Sequence, residues 1–307
     1  MSLRLYTHPA CLGHDTGPGH AERPERLRAV IAALDAAFPD QHWLSASLAP
    51  REALLRVHDV AYVDGLLTRP ANGLEWLDED TVFSPGSLDA ALRAAGAGID
   101  ALDWVMAEAD RRAFCAVRPP GHHAERGKAM GFCLFNSIAI AAAHALANGV
   151  ERVAVIDFDV HHGNGSQAIF ANEPRVLFAS SHEMPLYPWS GDASETGIGN
   201  IFNAPLPGGS GSEAFRAVWS EALLPAIDAF APQLLLISAG FDAHRDDPLA
   251  SLQLDAEDYG WLTGELIRIA HRHAQGRIVS MLEGGYDLAG LAASALAHVR
   301  ALRAVPA

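Results

Sequence analysis

The chain has 307 residues, of which half are hydrophobic and 19% are charged, so it suits a globular protein of one large domain or two small ones. Its formal net charge of −15 repels phosphate backbones, which excludes nucleic acid as an expected partner and mildly favours cationic ligands. No stretch approaches the roughly 18 apolar residues of a membrane span, and the first residues lack a secretory pattern. Cys11, Cys115 and Cys133 are widely spaced and are expected to be reduced thiols of a cytoplasmic protein.

Short apolar segments alternate with helical patterns along the chain. In chain order, helices are predicted near residues 24–37, 50–67, 86–109, 133–148, 212–230, 255–274 and 287–303. Strands are predicted at Ala113–Val117, Val153–Phe158, Val176–Ser180, Leu234–Ser238 and Ile278–Leu282. Because each strand is apolar throughout, as in a parallel sheet covered on both faces, the alternation predicts βαβ units and one doubly wound α/β sheet.

Four of the predicted strands end in polar segments. The first is followed by Arg-Pro-Pro-Gly-His-His at 118–123, and the second ends in Asp-Phe-Asp-Val-His-His at 157–162. The fourth is followed by 239–248, which holds three aspartates, and the fifth by Glu-Gly-Gly-Tyr-Asp at 283–287. Because ligands bind beyond the carboxyl ends of parallel strands, the sequence predicts one shared polar site there.

The polar segment after the second strand suits a metal ion. Asp159 and His161 are two residues apart, so on an extended segment they project to the same side and could share one ion. A catalytic zinc usually has three protein ligands, and Asp247 is the natural third donor. Two carboxylates and one imidazole suit Zn²⁺, and Fe²⁺ is an alternative. Capping of a turn is the alternative role of a lone Asp-x-His, and the other polar strand ends favour the metal.

The adjacent histidines, His122 and His123, follow two prolines and a glycine that fix their loop. Beside a metal, one of them could take a proton from water and later deliver it to a leaving amine. Each would need a partner on its other ring nitrogen, and Asp157 and Asn164 are candidates. Asp157 is expected to be buried, where it could support a histidine, bind a monovalent cation, or both. Tyr286 could donate a hydrogen bond to a developing oxyanion, with packing as its alternative role.

These motifs are similar to those of the zinc-dependent histone deacetylase family, including bacterial histone deacetylase-like amidohydrolases and acetylpolyamine amidohydrolases. The matching segments occur in the family's order over nearly the whole chain: His20–Leu27, Arg118–Ala124, Gly131–Asn136, Asp157–Gly165, Ser238–Ala243, Asp247–Leu249 and Glu283–Tyr286. The resemblance implies a single deacetylase-like catalytic domain over residues 1–307. Its fold would be the arginase/deacetylase α/β fold, with a central, mostly parallel sheet flanked by helices on both faces.

The resemblance also implies roles for individual residues. The zinc ligands would be Asp159, His161 and Asp247. In the tandem pair of His122 and His123, the second would be the general base and acid, and Tyr286 would polarise the acyl carbonyl. The acyl-lysine tunnel would be lined by Gly131 and Phe132, with Tyr187 on its other wall and Leu254 near its rim. A structural potassium site of relatives is matched by Asp157, Asp159, His161, Ser180 and Ser181.

One departure from the family pattern affects the expected base. Asn164 stands where many members have aspartate, as in the class II branch, so His123 faces an amide instead of a carboxylate. Because an amide stabilises an imidazolium less than a carboxylate does, we expect His123 to be less basic. The apolar Leu254 disfavours a polyamine-selective site, which would more often carry an acidic residue at the rim.

The expected activity is metal-dependent hydrolysis that removes acetyl or other short acyl groups from the side-chain amine of acyl-lysine. A deacetylase of acetylated polyamines or other small acylated amines is the first alternative, and the acidic surface suits such cations. A binuclear arginase-like hydrolase is disfavoured by the single Asp-x-His-His-Gly run. An acyl-ligand binding module without catalysis is disfavoured by the intact set of acidic, imidazole and phenol groups. Homo-oligomerisation stays open.

Overall fold

An eight-stranded parallel sheet lies at the centre of the computed structural model, which describes residues 1–304. In chain order the strands are β1 (Ser2–Thr7), β2 (Trp43–Ser45), β3 (Glu75–Trp76), β4 (Val82–Phe83), β5 (Arg111–Cys115), β6 (Val153–Asp157), β7 (Val176–Glu183), β8 (Ile201–Leu206), β9 (Leu234–Ala239) and β10 (Ile278–Leu282). The order across the large sheet is β2-β1-β5-β10-β9-β6-β7-β8, and β3 pairs with β4 in a separate antiparallel ribbon. The predicted α/β fold with one central parallel sheet is confirmed.

Helices flank this sheet in two groups. They are α1 (Pro24–Ala37), α2 (Arg51–Leu54), α3 (Val60–Leu67), α4 (Ser87–Ala107), α5 (Ser137–Ala147), α6 (Asn164–Phe170), α7 (Ser212–Val218), α8 (Leu224–Phe230), α9 (Ala256–His273) and α10 (Leu288–Arg303). One group packs α4 against α5, and the other packs α10 against α1 and α9. Over residues 1–304, none of the helices combines the length and the apolar character needed to cross a membrane.

The strands predicted from continuous apolar runs are all present, with ends within three residues of the prediction. In β6 and β9 every residue is buried, which is why their sequences lack alternation. Three strands of the large sheet were not predicted: β1, β2 and β8. They lie at or next to the sheet edges, and each keeps half-buried or exposed residues that weaken the apolar signal.

Two predicted helices are interrupted. The helix predicted over 50–67 is wrong between α2 and α3, where the buried His58 turns its Nδ1 to the carbonyl oxygen of Glu125 at 2.9 Å. The helix predicted over 212–230 contains one π-helical turn at Trp219–Leu223. Pro225, just beyond that turn, has no N–H to continue a regular hydrogen-bond ladder.

The register of the sheet brings the polar segments together. Asp157, at the end of β6, lies opposite Ser180 of β7 and Ser238 of β9. At the same edge, Leu282 of β10 pairs with Ala239 of β9, and β5 follows on the other side of β10. The segments after β5, β10, β9 and β6 therefore leave the sheet side by side, as the sequence predicted.

A buried charge network ties the N-terminal segment to this edge. Glu22 is fully buried and accepts hydrogen bonds from Arg118 Nη2 at 2.6 Å and Arg26 Nη1 at 3.0 Å. Arg26 also donates to the carbonyl oxygens of Glu283 at 2.6 Å and Gly285 at 2.5 Å, in the loop after β10. One carboxylate therefore holds two buried guanidinium groups, and through Arg26 it supports the loop that carries Tyr286.

Candidate active site and metal centre

Three buried side chains form a cluster that could hold a metal ion. Asp159, His161 and Asp242 each offer one ligand atom, and these atoms lie within 4.8 Å of one another. His161 Nδ1 lies 3.2 Å from Asp159 Oδ1 and 3.1 Å from Asp242 Oδ2. The pairing of Asp159 with His161 was predicted from their spacing, but Asp242 was not assigned a role. Its position directly after β9 was the available signal.

Asp247, the predicted third ligand, lies outside that cluster. Its Oδ2 accepts the backbone N–H of Tyr286 at 2.6 Å, and its Oδ1 accepts the backbone N–H of Leu249 at 3.0 Å. Burial and the neighbouring Asp242 raise the pKa of Asp247 to about 7. The Asp247 carboxyl thus lies close to the cluster, and its negative charge is destabilised there. Its role as a metal ligand stays a prediction.

The electrostatics of the cluster fit a cation. Burial disfavours a charged His161, but its hydrogen bonds to the carboxylates of Asp159 and Asp242 raise the pKa of that imidazole to about 10. Burial and the charge of Asp159 also raise the pKa of Asp242. The buried carboxylate oxygens and one imidazole nitrogen form a donor set that suits Zn²⁺ or Fe²⁺.

The tandem histidines have the two partners that the sequence proposed. His122 Nδ1 lies 2.9 Å from Asp157 Oδ2, and His123 Nδ1 lies 2.8 Å from Asn164 Oδ1. Burial would lower the pKa of His122, but Asp157 and Asp159 raise it well above its ordinary value. Burial, then the neighbouring imidazoles, lower the pKa of His123 well below its ordinary value. One ring is thus favoured as a cation and the other as a neutral base.

The loop that carries these histidines is fixed by Glu283, whose role the sequence did not reveal. Its Oε2 accepts the backbone N–H groups of Gly121 at 2.6 Å and His122 at 3.2 Å, and its Oε1 accepts Ser238 Oγ at 3.1 Å. Burial raises the pKa of Glu283 to about 7. The carboxyl end of β10 therefore positions the segment after β5.

The residues of the predicted potassium site gather around the end of β6. Asp157 is fully buried, and its Oδ1 accepts the backbone N–H of Asp159 at 3.1 Å. Ser180 Oγ lies 2.9 Å from His182 Nδ1, and Ser181 Oγ accepts Trp219 Nε1 at 3.0 Å. Both serines are buried on the neighbouring strand β7. Potassium binding here stays a prediction.

A cavity of about 250 Å³ leads to the cluster and contains most of the predicted substrate-binding residues. Its lining includes the predicted His123, His161, Gly131, Phe132, Tyr187 and Tyr286, together with Asp80, Leu186 and Leu249, which were not predicted. Asp80 Oδ1 accepts the backbone N–H of Gly131 at 3.1 Å, which attaches the carboxylate to one wall. The cavity therefore has aromatic walls and one acidic group.

The predicted position of Leu254 at the rim is wrong. Leu254 is fully buried in the core and does not line the cavity. A short parallel bridge to His244 explains this, because the N–H of Leu254 donates to Ala243 O at 3.1 Å and its carbonyl accepts from Arg245. Leu249 lines the cavity instead. The inference against a polyamine site that rested on Leu254 loses its basis.

Tyr286 lines the cavity and packs against Arg26. The Arg26 guanidinium lies 4.8 Å from the centre of the Tyr286 ring. Burial keeps the pKa of Tyr286 well above its ordinary value although Arg26 lowers it, so the phenol stays a hydrogen-bond donor.

Gly131 has φ +57°, and a Cβ there would lie 2.3 Å from His123 Cδ2. Only glycine fits that position.

Comparisons with known proteins agree with this fold. A model of the histone deacetylase domain matches residues 20–302. A probable deacetylase of Archaeoglobus fulgidus is 40% identical over 94% of this chain and 83% of that protein. A histone deacetylase-like amidohydrolase of Pseudomonas aeruginosa is 39% identical over 96% of this chain and 84% of that protein. The crystal structure of the HDA15 HD domain has a TM-score of 0.93 at 35% identity and covers 100% of this chain and 90% of that one.

The family match and the named relatives place the chain among hydrolases of the deacetylase class. The chain belongs to the histone deacetylase family. The resemblance drawn from the motifs is thereby confirmed, as are the fold and the enzymatic class that it implied.

Proposed function

We propose that the protein is a metal-dependent amidohydrolase that removes acetyl or other short acyl groups from the side-chain amine of acyl-lysine. The observation that carries the proposal is one cavity that brings together His123, His161 and Tyr286. Its volume of about 250 Å³ and its aromatic walls, Phe132 and Tyr187, suit a slender apolar chain that ends in a polar amide.

The metal would be held by Asp159 and His161, with Asp242 or Asp247 as the third ligand. Zn²⁺ is the preferred ion for this donor set, and Fe²⁺ is the alternative. A divalent ion bound here would polarise the acyl carbonyl and lower the pKa of a nearby water. Asp157, Asp159, His161, Ser180 and Ser181 would hold a structural K⁺ beside it.

His123 is the better base of the tandem pair because it lines the cavity and His122 does not. Its Nδ1 is engaged by Asn164, which leaves Nε2 free of hydrogen-bond partners over residues 1–304. That nitrogen would take the proton of the attacking water and then deliver it to the departing lysine amine. His122, held by Asp157, would stay protonated and add positive charge near the reacting carbonyl.

Tyr286 would donate its hydroxyl to the carbonyl oxygen as negative charge develops there. Such a donor is worth roughly 3 to 4 kcal/mol in the transition state. The backbone of Tyr286 is anchored by Asp247 and its ring lies under Arg26, so the hydroxyl is positioned before the substrate binds.

The test of the base is the variant His123→Ala, assayed on an acetyl-lysine peptide. We expect turnover to fall by at least about 100-fold with the fold intact, because general base catalysis contributes 10²- to 10⁴-fold. His144→Ala, on α5, is the matched control and should keep wild-type turnover. Wild-type turnover in His123→Ala would reject this assignment of the base.

Deacetylation of polyamines or other small acylated amines is the second candidate, and Asp80 in the cavity lining favours it. A carboxylate there could bind a distal ammonium group, and the net charge of −15 would attract such cations. The ratio of kcat/KM for an acetyl-lysine peptide to kcat/KM for N-acetylputrescine separates the two candidates. A higher value for N-acetylputrescine would replace acyl-lysine as the proposed substrate.

The proposed partners are acylated lysine peptides or proteins, or small acylated amines, and not nucleic acid. We place the protein in the cytoplasm because Cys11, Cys115 and Cys133 are all buried free thiols, as expected in a reducing compartment. A homo-oligomer is compatible with the proposal, and sedimentation would measure it.

A further inference from the structure

The amide of Asn164 contacts a different group at each of its two ends. Its Oδ1 lies 2.8 Å from His123 Nδ1, and its Nδ2 donates to Glu125 Oε1 at 2.9 Å. Asn164 is 8% exposed, so water competes little for either end. The amide therefore links the proposed base to a carboxylate two residues further along the chain.

The orientation of this amide decides which nitrogen of His123 carries the proton. When Oδ1 faces the ring, Nδ1 must be the donor, and Nε2 is the unprotonated nitrogen that a base needs. When the amide is turned over, its NH₂ faces Nδ1, and the ring proton must move to Nε2. An aspartate would not have this ambiguity, because both of its oxygens accept.

Glu125 favours one of the two orientations of the Asn164 amide. An ionised carboxylate only accepts hydrogen bonds, so it requires the NH₂ end of Asn164 to face it. Asn164 Nδ2 has two longer contacts, which favour one orientation of the amide less strongly. They are to the backbone oxygen of His123 and the sulfur of Met130, both at 3.4 Å. The carboxylate is therefore the group that can set the orientation of the amide.

The backbone of Glu125 is itself held in place. Its N–H donates to Lys128 O at 3.0 Å, and its carbonyl oxygen lies 2.9 Å from His58 Nδ1. His58 Nε2 accepts the backbone N–H of Asn136 at 3.0 Å, which makes its Nδ1 the donor. These hydrogen bonds thus hold in place the loop that carries the Glu125 carboxylate.

We propose that Glu125 is a positioning residue that fixes the amide of Asn164 and thereby keeps His123 in the tautomer with a free Nε2. This inference rests on the proposed function in taking His123 as the base. In Glu125→Ala, kcat for an acetyl-lysine peptide should fall by about 10- to 100-fold, as when an orienting partner is removed from a ligand or base. KM should change by less than about threefold, because Glu125 does not line the cavity.

The decisive comparison adds Asn164→Asp. In that background the side chain accepts from His123 whichever way it is turned, but it faces Glu125 as a second carboxylate. Glu125→Ala should therefore lower kcat in the wild-type background and raise it in the Asn164→Asp background. Glu125→Gln, which can still accept a hydrogen bond, should lose less activity than Glu125→Ala. Equal losses in both backgrounds would show a merely structural role and overturn the inference.

A spectroscopic measurement separates this inference from the proposed function. The ¹⁵N shifts of His123, assigned by comparison with His123→Ala, should show a proton on Nδ1 in the wild type and a detectable share on Nε2 in Glu125→Ala. An unchanged tautomer in Glu125→Ala overturns the inference even if the protein is an active deacylase. A changed tautomer supports it even if the wild type fails to hydrolyse acyl amides.

Discussion

Replacing Glu22 with glutamine would leave two buried guanidinium groups without their carboxylate. Burial alone would raise the pKa of Glu22, but Arg118, with His14 and Arg26, lowers it from 4.5 to about 2. At about 1.4 kcal/mol per pH unit, this fall corresponds to about 3 kcal/mol of stability. Removing one partner of a buried ion pair costs about 3 to 5 kcal/mol, which matches this value.

Chemical unfolding measures the stability that Glu22 contributes. At pH 7 we expect Glu22→Gln to lose about 3 kcal/mol in the free energy of unfolding. Glu25→Gln, three residues further along at the start of α1, is the matched control: its partner Arg28 is 56% exposed, and the loss should be below about 1 kcal/mol. Because the folded pKa of Glu22 lies below the unfolded one, its contribution is complete above pH 4.5 and is lost as the pH falls towards 2. The difference in unfolding free energy between wild type and Glu22→Gln should narrow over that range. Equal stability of Glu22→Gln and Glu25→Gln at pH 7 would show that the buried ion pairs of Glu22 add no net stability.

Three further predictions concern the cavity and the core. Gly131→Ala should lower kcat/KM by about 100-fold in steady-state assays, because the new methyl group would lie 2.3 Å from His123 Cδ2 and displace the ring; unchanged kinetics would contradict this geometry. Tyr286→Phe should lower kcat by about 10²- to 10³-fold with little change in metal content, since only the oxyanion donor is lost. In thermal unfolding, Gly96→Ala should destabilise by about 1 to 3 kcal/mol because its Cβ would lie 1.8 Å from a backbone oxygen. Gly264→Ala, in a helix with open space around it, should instead be neutral or stabilise by up to about 1 kcal/mol.

The parts of the site that were predictable from sequence are those set by local geometry. Asp159 and His161 could be paired because they are only two residues apart directly after a strand. In the structure β6 ends at Asp157, and the pair meets across a bend in which the N–H of His161 donates to Asp159 Oδ1 at 2.9 Å. The convergence of the polar segments followed from the rule that parallel strands present their carboxyl ends at one edge. The partners of His122 and His123 followed from chemistry, because a buried imidazole needs an acceptor.

The parts that were missed depend on the paths of long loops. Asp242 and Asp247 follow the same strand, and the spacing between them does not say which one turns towards His161. Leu254 was placed at the rim because nothing local reveals the bridge that directs it into the core. Asp80 precedes every strand-end motif and reaches the cavity only through a tertiary contact with Gly131. Such non-local contacts leave no periodic signal in the sequence.

We propose that deacylation needs one metal ion, held by Asp159 and His161. The most direct test measures metal content and turnover of an acetyl-lysine peptide on the same sample, before chelation, after chelation, and during stepwise addition of Zn²⁺ or Fe²⁺. We predict that turnover disappears on chelation and returns in full at one ion per chain. Turnover that survives complete removal of the metal, or that needs two ions per chain, would contradict the account.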